Sequence, residues 1–297
     1  MMPAEDDTPG RAALDATVLR RAVVRPGGLW RAVEVLASTG STNADLLARA
    51  GAGAPAGVVL AAEEQTAGRG RLGRSWVSPP RAALTFSLLV RPDTVSPARR
   101  GWLPLLAGVS VASAVRAAAG VDARLKWPND VLVGPAKLGG ILAEAIGDAV
   151  VVGIGLNVST ERSELLPSAT SLHVLGARTA REPLLAAILA GFEARYQAWR
   201  RAGGDPERCG LREEYLRWRG TIGRQVRVER PGAQPLSGLA AGVDPDGRLL
   251  VRDASGVSLP VAAGDVVHVR LSLPCASLPG AQPSAAARHA AGIAGSR

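Results

Sequence analysis

Apolar and polar positions follow two different periods over the first 220 residues of the chain. Short runs rich in Val, Leu, Ile and Ala, bounded by Gly, Pro, Asn or Asp, predict strands. These runs cover residues 33–36, 57–62, 84–90, 124–127, 131–133, 138–146 and 149–158. Longer stretches with helical spacing or helix-start signals predict helices at residues 44–50, 96–119, 183–202 and 206–219. Pro97 at the first helical position and Gly120 after the last one set the bounds of the long helix.

The pattern changes after residue 220, where short strands replace the helices. Strands are predicted at residues 225–229, 236–244, 248–252 and 266–271, and Asp-Pro-Asp-Gly at residues 244–247 predicts a hairpin turn. This pattern is typical of a small β-barrel. The fold class is therefore predicted as α+β, with domains at residues 29–220 and 221–273. Residues 1–28 are predicted as an N-terminal tail with one helical turn near residues 12–23, and residues 274–297 as a disordered tail.

Composition narrows the classes of function. Hydrophobic residues make up 47% of the 297 residues, but aromatic residues only 3%. No charge-free apolar run reaches the roughly 18 residues of a membrane span, and the N-terminus lacks the features of a signal peptide, so a cytoplasmic location is expected. Cys209 and Cys275 match no metal-site spacing, and His173, His268 and His289 are scattered. Neither a metalloenzyme nor a Ser-His triad is indicated.

The basic residues of the chain are unusual mainly because almost all of them are arginines. A formal net charge of +9 suits a phosphate-rich or an acidic partner. Of the 35 basic residues, only Lys126 and Lys137 are lysines, and both lie in one window of 12 residues. Lysine offers a compact point charge where arginine offers a planar fork. We infer that this window needs ammonium groups, with an ordinary hairpin bearing exposed lysines as the alternative.

Residues 65–76 form a stretch of interleaved glycines and arginines, QTAGRGRLGRSW. It contains Gly-x-Gly-x-x-Gly, but a dinucleotide fingerprint needs a helix directly after the glycines. Two prolines and a strand follow here, so we exclude a Rossmann site. The glycines let the backbone approach a ligand, and Arg69, Arg71 and Arg74 can donate forked hydrogen bonds to phosphate. A solvated basic loop or an RNA contact is the alternative.

A predicted hairpin joins Lys126 and Asp130 to Lys137, which lies seven residues beyond Asp130. A lysine at this place could hold a carboxylate and stabilise the charge that develops on a phosphoryl group. Gly139 and Gly140 interrupt the strand that follows, which indicates close approach of another group to the backbone.

Two further polar sites lie at the ends of predicted elements. Ser41, Thr42 and Asn43 occupy a strand-to-helix corner, where they could bind a small polar head group or simply cap the helix. Asn157 lies near the end of an otherwise apolar strand and needs a hydrogen-bond partner, either a ligand or a neighbouring backbone group.

Taken in order, STN, GRGRLGRSW, KWPND with KLGGIL, and GIGLN resemble the biotin protein ligase family over about residues 33–271. The resemblance implies a mixed β-sheet with helices, similar to class II aminoacyl-tRNA synthetases and lipoate ligases, followed by an SH3-like barrel. It implies a ligase with two half-reactions. Biotin attacks the α-phosphate of Mg-ATP to give biotinyl-5′-AMP and pyrophosphate, and a carrier lysine then takes the biotinyl group and releases AMP. Positioning and charge stabilisation would supply most of the catalysis.

The resemblance also implies roles for single residues. The catalytic positions are Lys137, Arg71, Lys126 and Asp130, and the last two would assist the transfer step or hold Mg²⁺. The biotin-binding positions are Ser41, Thr42, Asn43, Gln65, Arg69, Gly70, Arg71, Lys137 and Gly140. The ATP and adenylate positions are Arg69, Arg71, Arg74, Trp76 and Asn157. No residue is assigned as a definite metal ligand, because Mg²⁺ would be carried mainly by ATP.

The resemblance implies a biotin carboxyl carrier protein of an acyl-CoA carboxylase as partner, and it leaves a homodimer open. Only about 30 residues precede the first core strand, too few for a winged helix-turn-helix domain, so no specific DNA binding is expected. Two alternatives stay open. One is a lipoate or octanoate ligase on the same fold, against which the Gly/Arg stretch argues. The other is a basic RNA-binding protein, against which the scarcity of Phe and Tyr argues.

Overall fold

A computed structural model describes residues 11–230 and 232–268 of the chain. Its helices are α1 (Ala16–Val23), α2 (Thr42–Gly51), α3 (Trp102–Ala119), α4 (Arg181–Arg201) and α5 (Leu211–Arg217). Its strands are β1 (Ala32–Leu36), β2 (Val58–Ala62), β3 (Ala83–Val90), β4 (Ala123–Lys126), β5 (Asp130–Val133), β6 (Ala136–Ile146), β7 (Ala149–Asn157), β8 (Gln225–Arg230), β9 (Ala233–Val243), β10 (Leu249–Arg252), β11 (Ser258–Val261) and β12 (Asp265–His268). The predicted tail at residues 274–297 and the end of the predicted strand 266–271 lie outside the described residues.

A seven-stranded mixed sheet forms the larger part of the fold, in the order β1-β2-β3-β7-β6-β5-β4. The first two strands are parallel, and every other neighbouring pair is antiparallel. Alternate residues of β2 belong to two separate apolar clusters, because α2 packs on one face of the sheet and α3 on the other. The mixed sheet with helices that the sequence predicts is thereby confirmed.

Helix α3 is the apolar helix at the centre of the core. It follows a short 3-10 turn, Pro97–Gly101, and ends at Gly120, whose φ of 67° is typical of a helix C-terminus. Among the described residues it is the one helix whose length and composition would suffice to cross a membrane, but 67% of the apolar window is buried inside the structure. Packing between the sheet and α4 accounts for its apolar sequence.

The second sheet is antiparallel and small, in the order β11-β10-β9-β8-β12, as expected for an SH3-like unit. Its β9–β10 turn packs on the start of α3 and on the turn after β4, where Trp102 Nε1 donates to the Asp244 carbonyl at 3.2 Å and Trp127 Nε1 to the Gly247 carbonyl at 3.0 Å. A Cβ on Gly101 would collide with the carbonyl of Asp246. The second sheet is therefore held against α3 and the β4–β5 turn of the larger unit. The predicted domain boundary at residues 220 and 221 lies between α5 and β8 and stays a prediction.

The N-terminal segment needs a correction, because residues 11–28 are not a tail. Asp15 caps α1, and Leu19 and Val23 on this helix are completely or almost completely buried against the larger unit. The segment is also held by a buried ion pair between Arg181 and Glu63, described below. The helix has only two buried positions, so its sequence pattern is too weak to indicate packing.

Candidate active site

The corner between β1 and α2 presents three polar side chains to the sheet. Ser41 caps the helix, and Thr42 and Asn43 in its first turn are almost fully buried. Gln65 accepts hydrogen bonds from the Thr42 amide at 2.8 Å and from its hydroxyl at 3.1 Å. Ser87 on β3 donates to Asn43 Oδ1 at 2.6 Å and lies 2.7 Å from Thr42 Oγ1. The corner is a connected polar cluster set into an apolar sheet.

Asn43 fits this corner only because β7 lacks a side chain opposite it. Its Nδ2 donates to the Leu142 carbonyl at 3.2 Å and to Glu144 at 2.8 Å. A Cβ on Gly153 would stand 2.8 Å from Asn43 Cγ, and closer still to Oδ1. The first glycine of the GIGLN stretch therefore makes room for the amide.

The second glycine of that stretch makes room for Trp76. Gly140 on β6 and Gly155 on β7 are register partners. A Cβ on Gly155 would stand 2.6 Å from Cζ2 of the Trp76 indole, and a Cβ on Gly140 would stand 3.6 Å from Cζ3. The ring thus lies against bare backbone of the two strands. Its Nε1 is buried and has no hydrogen-bond partner among the described residues.

Lys137 lies on the far side of the Trp76 indole and places a positive charge there. Its Nζ is 2.6 Å from Oδ1 of Asp130 across the predicted hairpin. Its backbone exchanges hydrogen bonds with Ser168 and Thr170, both at 2.8 Å. Asn157 donates to the Thr170 carbonyl at 3.0 Å, so a neighbouring backbone group, one of the two alternatives, satisfies its side chain.

The Gly/Arg stretch closes on itself as a tight loop above these strands. The Gly70 amide donates to the Arg74 carbonyl at 2.6 Å, and the Trp76 amide to Gly68 at 2.9 Å. Leu72 at its tip has a positive φ of 56°. A 3-10 turn, Arg71–Gly73, includes the last glycine, and the next regular element is the strand β3, which agrees with the exclusion of a Rossmann site.

Two arginines of this loop reach the second sheet. Arg71 donates to Asn129 Oδ1 at 3.2 Å and to the Gly264 carbonyl at 3.4 Å, and Arg74 pairs with Asp265. Burial lowers the pKa of Arg71, an effect that the nearby carboxylates of Asp265 and Asp130 oppose. A partly dehydrated guanidinium interacts more strongly with an anion than one in bulk water.

These groups surround one cavity of about 800 Å³, which we call the slot. All the residues that the sequence assigned to the site line it: Ser41, Thr42, Asn43, Gln65, Arg69, Gly70, Arg71, Arg74, Trp76, Lys126, Asp130, Lys137, Gly140 and Asn157. A neighbouring cavity of about 990 Å³ lies along the Gly/Arg loop towards the second sheet. The sequence did not indicate four other lining residues, Ser87, Leu165, Leu166 and Asp265. Of these four, only Ser87 could have been noticed in the sequence, because it is a polar residue inside an apolar strand.

The slot has two chemically different ends along β7. Gly153 lies beside the polar corner and Asn157 beside Lys137 and residues 164–169. Four residues of extended strand separate them, which corresponds to about 13 Å. One end can hold a small polar ring by hydrogen bonds, and the other offers cations for a carboxylate or a phosphate.

Comparison with known proteins assigns the chain to a family. Residues 35–160 match the biotin/lipoate A/B protein ligase family, and residues 221–269 match the biotin protein ligase C-terminal domain. A biotin–[acetyl-CoA-carboxylase] ligase of Mycobacterium tuberculosis is 46% identical over 265 residues, which cover 88% of this chain and 97% of that protein. The bifunctional ligase/repressor BirA of Escherichia coli is 33% identical over 79% of this chain and 73% of its own. The biotin protein ligase of Aquifex aeolicus in complex with biotin and ATP has a TM-score of 0.68 and 27% identity, over 80% of this chain and 98% of its own. The chain belongs to the biotin protein ligase family.

Proposed function

We propose that the protein joins biotin to ATP to form biotinyl-5′-AMP and then transfers the biotinyl group to a lysine of a biotin carboxyl carrier protein. Family membership supports a ligase that acts on biotin. The observation that carries the proposal is the slot, in which a polar corner packed against β7 and a cationic end on β6 lie under one arginine loop. The partner would be the carrier domain of an acyl-CoA carboxylase, since M. tuberculosis and Paracoccus denitrificans relatives are named for acetyl-CoA carboxylase.

Biotin is proposed to lie with its ring at the polar corner. A ureido group has two N–H donors and one carbonyl acceptor, and hydroxyl and amide side chains can match both kinds of group. Ser41, Thr42, Asn43 and Gln65 supply such groups: Thr42 donates to Gln65, Asn43 accepts from Ser87, and Ser41 accepts from the Ala44 amide. The acyl chain would then pass beside Trp76 and bring the carboxylate to Lys137.

The cationic end is proposed to hold the reacting phosphate. A carboxylate oxygen attacks the α-phosphorus of ATP, the bond to the β-phosphate oxygen breaks, and pyrophosphate leaves. Negative charge accumulates on the phosphoryl oxygens during this step, and Lys137 and Arg71 can stabilise it because both are held in place by Asp130 and Asn129. Arg69 and Arg74 would close the loop over the adenylate.

Mg²⁺ is proposed to arrive with ATP. Among the described residues no group of three or more His, Cys, Asp or Glu side chains could hold a metal ion. Asp130, one of the carboxylates that line the slot, is paired with Lys137. In the proposal the ligands of the metal are mainly phosphate oxygens and water, as is usual for Mg²⁺ bound with a nucleotide.

In the second step the neutral amine of a carrier lysine attacks the acyl carbon of biotinyl-5′-AMP. An amide bond forms, the acyl–phosphate bond breaks, and AMP leaves with the electron pair while the amine loses its proton. Lys126 and Asp130 are register partners at the end of β4 and the start of β5 and line the slot. We place them at the entry of the acceptor lysine, where Asp130 can accept a hydrogen bond from the attacking amine.

The direct test is to incubate the full chain with ATP, Mg²⁺, biotin and a biotin carboxyl carrier domain and to measure the mass of the carrier. We expect one added biotinyl group, lost when ATP is omitted and strongly reduced in Arg71→Ala. Arg208→Ala is the matched control, since Arg208 is exposed and does not line the slot. Modification with lipoate or octanoate but not with biotin would overturn the substrate assignment.

A further inference from the structure

Residues 161–170, which we call the cover loop, form one wall of the slot although they contain no regular strand or α-helix. Leu165, Leu166 and Ala169 line the cavity, and Leu166 is 73% exposed. Arg162 holds the loop in shape, because its guanidinium donates to the Ala169 carbonyl at 2.7 Å and to the Leu166 carbonyl at 2.9 Å. Glu164 and Ser168 of the same loop line the cavity as well, so the wall combines apolar and polar residues in a shape that Arg162 fixes.

The cover loop is tied to the N-terminal segment by a second arginine. Arg11 donates to Glu164 at 2.6 Å and to the Ser159 carbonyl at 3.2 Å, and its side chain is only 9% exposed. Burial by itself raises the pKa of Glu164, but hydrogen bonds from Arg11 and from the Glu161 amide outweigh it and hold the pKa below its usual value. Glu164 is thus held as a charged partner at the edge of the slot.

The segment that carries Arg11 is itself firmly anchored. Residues 11–14, which we call the strap, cross a buried ion pair between Arg181 and Glu63. Arg181 donates to the Ala12 carbonyl at 2.6 Å, and Glu63 accepts from the Leu14 amide at 2.6 Å. Both ionic side chains are less than one-tenth exposed. The strap therefore connects the end of β2 and the start of α4 to the cover loop.

The cover loop lies at the cationic end of the slot. The Thr170 amide donates to the Lys137 carbonyl, and the Lys137 amide to Ser168. The polar corner at Gly153 lies at the opposite end of the same strands. A ligand that starts at the polar corner and reaches the cover loop must pass Lys137, and in the proposed reaction the part beyond Lys137 is the nucleotide and not biotin.

We propose that the strap positions the cover loop for ATP, with Arg11 as a positioning residue for the nucleotide. This inference rests on the proposed function for the identity of the ligand. It assigns a role in ATP binding to a segment that precedes the first strand of the sheet. Loss of the Arg11–Glu164 contact would leave the biotin corner intact and release the wall against which the nucleotide packs.

The test compares Arg11→Ala with Arg25→Ala in the full chain. Arg25 lies on the same N-terminal segment and also pairs with a buried glutamate, Glu193, but neither residue lines the slot. In biotin-dependent exchange of pyrophosphate into ATP, we expect the KM for ATP to rise roughly 10- to 100-fold in Arg11→Ala, as for loss of a charge-assisted contact. The KM for biotin should stay within twofold, and Arg25→Ala should change neither constant.

Two further variants separate positioning from general stability. Arg11→Lys keeps the charge and should recover part of the ATP affinity, and Arg11→Glu combined with Glu164→Arg should recover more than either change alone. Equal rises in both KM values, or the same loss in Arg25→Ala, would overturn the proposal. An unchanged KM for ATP in Arg11→Ala would also overturn it.

Direct calorimetry with a non-hydrolysable ATP analogue keeps this test independent of the reaction. If the wild-type chain shows no biotin-dependent exchange, the proposed function fails, yet the affinities of wild type and Arg11→Ala for the analogue can still be compared. Weaker binding of the analogue in Arg11→Ala alone supports the strap as a nucleotide-positioning element. Equal binding overturns it.

Discussion

Gly153→Ala is the sharpest perturbation of the proposed biotin corner, because it adds one methyl group at a site where none fits. The new Cβ would lie 2.8 Å from Asn43 Cγ, and real Cβ atoms essentially never come within 3.0 Å of another heavy atom. Gly153 lies on the buried strand β7 between β3 and β6, so the strand cannot retreat. The Asn43 amide must therefore move.

The size of the effect follows from the hydrogen bonds that the amide would lose. Asn43 accepts from Ser87 at 2.6 Å and donates to Glu144 at 2.8 Å. A buried polar group left without a partner costs about 1–3 kcal/mol. If the displaced corner loses one such contact with the ureido ring, the Kd for biotin should rise roughly 5- to 150-fold, since 1.4 kcal/mol is tenfold.

The assay is calorimetric titration of biotin into the full chain, with thermal unfolding recorded in parallel. Gly242→Ala is the matched control, because a Cβ on this β9 glycine would lie 3.8 Å from its nearest neighbour and fits without strain. The stronger test is a double-mutant cycle. In an Asn43→Ala background the obstructing amide is gone, so adding Gly153→Ala should cost less than about 0.5 kcal/mol.

Two results would refute this reasoning. The first is a Kd for biotin in Gly153→Ala within twofold of the wild-type value, which would mean that the corner does not bind the ligand. The second is strict additivity of Asn43→Ala and Gly153→Ala, which would mean that the glycine acts through some contact other than Asn43.

Three further predictions test other parts of the molecule. Lys137→Ala should slow biotinyl-5′-AMP formation by about 10- to 100-fold at saturating substrates, and Lys137→Arg should not restore it, because a planar fork replaces a point charge; pyrophosphate exchange measures both. Arg181→Met should destabilise the fold by about 3–5 kcal/mol in urea unfolding, because Glu63 is left buried and unpaired. Burial, together with two nearby cations, lowers the pKa of His268 from 6.5 to about 4. Between these two pH values the unfolded state binds a proton that the folded state does not, so the free energy of unfolding falls as the pH drops. Urea titrations should show that the free energy of unfolding falls less between pH 7 and pH 5 in His268→Gln than in the wild type.

Where the sequence failed to predict the fold, the local signal was absent. β11 contains a proline and three exposed residues, and a proline argues against a strand. The strand forms because it is at the edge of the second sheet and, within the part of the chain that the structure describes, pairs only with β10. Likewise, the predicted helix at residues 206–219 begins only at Leu211, because Gly210 adopts a left-handed φ of 75°. The first feature depends on a tertiary neighbour and the second on the backbone conformation of one glycine, and neither follows from periodicity.

In the site, too, residues with a local sequence signal could be predicted, and residues that depend on distant partners could not. Lys137, Asp130 and the arginines of the loop could be chosen from the sequence because their residue types are matched to phosphate chemistry. Glu144 and Arg11 could not, because each acts through a partner far along the chain, and Ser87 could be noticed only as a polar residue inside an apolar strand. Asn43 lies 44 residues from Ser87 and 101 from Glu144, and Arg11 lies 153 residues from Glu164. No local pattern specifies such pairs.

The glycines of KLGGIL on β6 and of GIGLN on β7 serve the same physical purpose, although the two motifs are separate in the sequence. Gly140 and Gly155 face each other in register, and a Cβ on Gly139 would lie 2.8 Å from the Gly155 carbonyl. β6 and β7 are thus bare at the place where the Trp76 indole lies across them. Isolated glycines weaken a strand, so four of them in two adjacent central strands cost stability. Close approach of the Asn43 amide and the indole to the backbone explains why that cost is tolerated, since any larger residue at Gly153 or Gly155 would push one of these groups into the slot.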